Sequence, residues 1–101
     1  MAVGEPDPSP ERLTLAPVLD LGAAASLART LTELRGSDLA LDGSEVGRLG
    51  AQCLQILISA RRSWATEGHS LVVENASEHM LAAVAQLGAT PFLFHPEDAT
   101  S

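Results

Sequence analysis

The stretch "LALDGSEVGRLGAQCLQIL", residues 39–57, decides the fold. Its opening lies within "DLALDG" (38–43), an apolar run closed by Asp-Gly, which predicts a short buried strand ending in a turn. The remainder leads from glycines into "AQCLQILISARRSWATEG" (51–68). There Leu54, Leu57, Ile58, the Arg61 stem and Trp64 or Ala65 recur on one helical face, and Gly68 marks the stop. A glycine-rich turn that opens a helix can cradle a phosphate. This one lacks the Lys-Ser/Thr of a P-loop, the spacing of a dinucleotide turn and any hydroxyl at the helix start. No nucleotide site is expected.

Working outward, the same strand-then-helix order returns. "SLVVEN" (70–75) is β-branched and short enough for a strand. "SEHMLAAVAQLG" (77–88) predicts a helix with Ser77 as N-cap, a Met80/Leu81–Val84–Leu87 stripe and Gly88 as stop. Toward the N-terminus, "RLTLAPVLD" (12–20) reads as an edge strand broken at Pro17, or as two short strands joined by a turn. "LGAAASLARTLTELRG" (21–36) then sets Leu27, Ala28, Leu31 and Leu34 on one stripe, with Asp20 as cap and Gly36 as stop. "PFLF" (91–94) is expected to add a last edge strand. Tight strand–helix connections predict an α/β domain. Its sheet should be small, mixed but largely parallel, with four to five strands and about three helices mainly on one face. The expected organisation is a disordered Pro-rich, acidic leader over 1–11, one domain over 12–95 and a frayed tail over 96–101.

Composition removes several function classes. The chain has 101 residues, enough for one core, and 46% of them are hydrophobic. Aromatics reach only 3%, and 13 acidic against 6 basic residues give a net charge of −7. The basic residues are scattered arginines, so neither a stacking platform nor a phosphate-tracking groove for nucleic acid is expected. No run is long enough for a membrane span and no signal peptide is evident, so the expected location is cytoplasmic. The lone Cys53 excludes an intrachain disulfide and reads as a small buried packing residue. His69, His79 and His95 lack metal-site spacing, and no carboxylate pair or Ser–His arrangement stands out. Neither a cofactor, a metal nor a catalytic residue is expected; Trp64 reads as core.

Two stretches resemble the STAS family, the domains of sulfate transporters and anti-sigma factor antagonists. "PVLDLGAAASLARTL" is similar to the family's opening pattern at Leu19, Asp20, Ala24, Leu27 and Leu31, with Pro17 where glycine is usual. "LALDGSEVGRLGAQCLQIL" resembles the second signature at Leu41, Asp42, Ser44, Val46, Leu49 and Leu54, and "LAAVAQLGA" (81–89) resembles the last helix. The resemblance spans about residues 12–90 and implies a small sheet, mixed at one edge, with helices on one side. It also implies a loop before the second helix that docks a partner and carries a phosphorylatable serine. At that place this sequence departs: Gly50, Ala51, Gln52 and Cys53 stand where the family has Asp, a hydroxyl residue, the phosphoserine and glycine. Gln52 has no oxygen to phosphorylate, so the junction reads as a contact surface without a switch, with Ser44 and Ser59 as the alternative phosphoacceptors.

The expected partner surface is Arg48, Gly50, Ala51, Gln52, Gln55, Ile56 and Ser59, with Ile56 as an apolar anchor between glutamines. "RLGAQCLQIL" resembles small stand-alone STAS proteins of bacterial chemotaxis, and the arginine-only, Ala- and Leu-rich composition is compatible with a GC-rich bacterial genome. That likeness implies a non-enzymatic adaptor that binds a histidine kinase and adjusts phosphoryl flow. Two alternatives remain open: an accessory subunit of a lipid-transport ATPase in the membrane, or an anti-sigma antagonist that uses another serine.

Overall fold

The computed structural model describes residues 11–94. The elements run β1 (Glu11–Thr14), β2 (Val18–Leu19), a single 3-10 turn (Leu21–Ala23), α1 (Ala24–Glu33), β3 (Leu39–Asp42) and β4 (Arg48–Leu49). After these come α2 (Ala51–Thr66), β5 (Leu71–Glu74), α3 (Glu78–Gln86) and α4 (Thr90–Leu93). The class is α/β, as the sequence implies. The leader and the tail fall outside the described residues, except that Glu11 already belongs to β1.

The strands form two parallel groups, β1-β3-β5 and β2-β4. β3 is central, with Leu41 opposite Leu13 on one side and Val73 on the other. Alternation sends Leu39 and Leu41 to one face and Ala40 to the other. The leucine face meets the helices: Leu39, Leu41 and Leu71 share one core with Leu31, Leu54, Leu57, Trp64, Met80 and Val84. On the opposite face Arg12 reaches across β3 to Glu74, 2.6 Å away. Exposed as it is, that pair adds little to stability.

"RLTLAPVLD" resolves into two strands joined by a turn around Pro17, one of the two readings the sequence left open. The Pro17 carbonyl accepts from the Gly47 and Arg48 amides at 2.8 and 3.1 Å, which fastens β4 beside β2. β4 has only two residues, too short for any periodicity to reveal it.

Several expectations need correction. "PFLF" is not an edge strand but the short helix α4. Pro91 sits in its first turn, where a missing N–H costs nothing. Leu93 enters the core, and the Arg61 guanidinium donates to the Phe92 carbonyl at 3.0 Å. Asp20 gives no side-chain cap to α1; its backbone carbonyl instead accepts from Ala23 and closes the 3-10 turn, so α1 starts at Ala24. Leu81 and Leu87 were expected on the buried stripe of α3, yet both are about half exposed. Met80 and Val84 are the fully buried residues of α3, with Ala83 packed beside them, so α3 buries a narrow face at the margin of the core. Gly36, Gly68 and Gly88 do end their helices, each with positive φ.

Candidate functional site

The junction opening α2 is built against β2 and the turn that follows it. Gly50, extended at φ −93° and ψ 168°, is the N-cap and has no side chain to offer. Its amide donates to the Leu19 carbonyl at 2.9 Å, and its own carbonyl accepts from Leu54. The Cys53 thiol donates to the Asp20 carbonyl at 3.3 Å and is fully buried. Cys53 is thus a packing residue that ties α2 to the turn leading into α1. Burial, and after it the Asp20 charge, push this thiol above its ordinary pKa. Burial and a raised pKa both disfavour the reactive thiolate.

The loop before β4 is held from the other side. Asp42 accepts from the Ser44 amide at 2.9 Å, a turn that holds its carboxyl below the ordinary value, with Ser44 as the main cause and Arg12 and Asn75 adding to it. Gly43 packs so closely on Met80 that a Cβ there would lie 2.7 Å from its Sδ. The Ser77 hydroxyl caps α3 by accepting from Met80 and donates to the Val46 carbonyl. Arg48, the first residue of β4, therefore projects, exposed, just after a loop anchored by α3.

Contacts at both ends make α1 and α2 run parallel. Cys53 and Asp20 join their beginnings. At the far ends Arg35 pairs with Glu67, and the Trp64 indole donates to the Ser37 carbonyl at 2.9 Å. Between the helices lies an open groove of about 500 Å³. Gln52, Gln55, Ile56 and Ser59 line one wall, so the structure brings together those four of the expected surface residues. Arg48, Gly50 and Ala51 do not line the groove and lie toward its N-terminal end, where Val18 pairs with Arg48 and Leu21 stands exposed.

Sequence reasoning missed the opposite wall, Ala28, Thr32 and Arg35, and the floor, where Leu31, Ala60 and Trp64 lie. The signal was present: 28, 32 and 35 recur at helical spacing beside the buried Leu27–Leu31 stripe. What was absent was knowledge that α1 and α2 are neighbours.

Chemically the groove offers neutral amides and hydroxyls over an aliphatic and indole floor. Among the described residues no cluster of His, Cys, Asp and Glu could hold a metal, and no helix is long and apolar enough to cross a membrane. His69 lies 3.5 Å from Asp38, at the opposite end of α2 from the junction.

The family model described as "Mlab, STAS domain" matches residues 5–93, nearly the whole chain. The chain belongs to the STAS family. Among solved structures, a sulfate transporter family protein from Wolinella succinogenes shares this STAS fold, with a TM-score of 0.66 at 18% identity over 87% of this chain and 78% of its own. No curated protein matches. STAS domains generally serve regulation and protein–protein contact, and in this STAS domain Gln52 lies exposed in the first turn of α2.

Proposed function

We propose that this STAS domain is a non-enzymatic adaptor that docks a bacterial histidine kinase of the chemotaxis type and adjusts phosphoryl flow through it. The observation that carries the reading is the convergence of Gln52, Gln55, Ile56 and Ser59 on one wall of an open groove beside Arg48. Gln52 keeps that surface in one state, so the contact is constitutive rather than switched by phosphate. In this reading the protein works in the cytoplasm, with Arg48 facing a carboxylate on the kinase.

The test is a tagged pull-down from native lysate read by mass spectrometry, followed by titration of the purified kinase. Recovery of a histidine kinase whose affinity drops about tenfold or more in Arg48→Glu/Gln52→Glu supports the reading, since a reversed rim charge acts through encounter and desolvation. The variant should remain folded: a carboxylate in the first turn of α2 is favoured by the helix dipole. Unchanged affinity removes the site assignment.

A second reading, an accessory subunit of a membrane transport ATPase, is favoured by the Mlab description of the matching family model. It predicts an ATPase subunit in the same pull-down and no kinase.

A further inference from the structure

Among the described residues Arg61 is the one charged side chain that is buried, 7% exposed, on the stripe of α2 that also carries Leu54, Leu57 and Trp64. The Phe92 carbonyl accepts from its guanidinium at 3.0 Å. A carbonyl takes a proton bond without cancelling the charge, and a guanidinium carries five N–H groups set to meet both oxygens of a carboxylate. Arg61 makes a further interaction besides the one with Phe92. A buried cation is tolerated where a counter-charge meets it, and carboxylate partners suit arginine best. We infer that this counter-charge is the acidic pair Glu97–Asp98, which makes the segment after α4 a strap that Arg61 closes over the contact between α2 and α4.

Position and charge both point to that segment. Arg61 holds the carbonyl of Phe92, two residues before Phe94, so its guanidinium stands where the chain leaves α4. The sequence from there is His-Pro-Glu-Asp, which brings two carboxylates within six residues of Phe92. Glu97 is tethered to Phe92 by a chain of up to about 17 Å when fully extended, ample length to double back. Pro96 lacks the N–H that would lengthen α4, and a proline in this setting favours a reversal of the chain. Other carboxylates are engaged elsewhere: Glu74 by Arg12, Glu67 by Arg35, and Asp38 beside His69. The fraying expected of the tail would then begin beyond Asp98.

A double-mutant cycle on the full chain, read by urea unfolding, tests the strap. Glu97→Gln/Asp98→Asn removes both charges while keeping the shape of the side chains. In the wild-type background it should lower the folding constant about tenfold, and in the Arg61→Met background it should change nothing. An equal loss in both backgrounds, or no loss in either, overturns the inference. If Arg61→Met does not fold, the Arg61 side-chain signals in the NMR spectrum decide. Hydrogen exchange at its Nε that quickens in Glu97→Gln/Asp98→Asn supports the strap, and exchange at the wild-type rate overturns it.

Discussion

Asp42 shows how a single carboxylate sets part of this surface. The Ser44 amide and hydroxyl hold it in the ionised form, with Arg12 adding a smaller pull. Its folded pKa lies below the unfolded value near 3.8. Its contribution is therefore complete above that value and is lost as pH falls through the folded one. Thermal melts of the wild type and Asp42→Ala should differ at neutral pH, and the gap should close as pH falls below about 4. A constant gap across the acid range would mean that the turn owes nothing to the charge. Cys53 makes the opposite point. Buried and with its pKa raised, it should resist iodoacetamide in the native protein at about pH 8, where an unperturbed thiol is partly ionised. It should alkylate fully in denaturant, and intact mass reads both states. Rapid native labelling would show that the Cys53–Asp20 tie opens readily.

At the scale of elements, α4 is where local sequence and tertiary structure part company. "PFLF" has the apolar density of a strand, and four residues are too few for periodicity to separate the two. Its fate is settled from a distance by Arg61, which lies in the core stripe of α2 and supplies a charged donor to the Phe92 carbonyl. Replacement by Met keeps the aliphatic stem and deletes the donor, so Arg61→Met should lose about 2 kcal/mol in urea unfolding and speed amide exchange in α4 ahead of α2. Loss of stability with unaltered exchange in α4 would assign Arg61 a purely packing role.

The other elements were legible because their signals are local. Buried leucines of β3 bounded by Asp-Gly, the stripe of α2 and the Ser77 cap each lie within a few residues of one another. β4 was hidden because its two residues are fixed by pairing with β2, some thirty positions away in the chain, with the Pro17 carbonyl holding the Gly47 and Arg48 amides.

For the molecule as a whole, the sequence disclosed one wall of the candidate site and concealed the other. Gln52, Gln55, Ile56 and Ser59 stood out because the core stripe of α2 leaves them facing outward, with an isoleucine between two glutamines. Ala28, Thr32 and Arg35 belong to a second helix whose proximity depends on parallel strand order, which no local pattern encodes. The exposed apolar residues Val18 and Leu21 became visible only when β2 was found beside Arg48. The resemblance to the STAS family drew attention to the loop before α2, but the identity of residue 52 had to be read from this chain itself.

Pinning α1 to α2 at both ends has a consequence for selectivity. Cys53 and Asp20 fasten one end, while Arg35–Glu67 and Trp64–Ser37 fasten the other. A channel tied in this way cannot spread to admit a bulkier guest without breaking a bond at one end, and close-packed interiors transmit such strain instead of absorbing it. On the docking reading proposed above, the domain would act as a gauge: side chains that match the width set chiefly by the buried Cys53–Asp20 and Trp64–Ser37 ties would enter with little further ordering, and those a ring too large would be turned away.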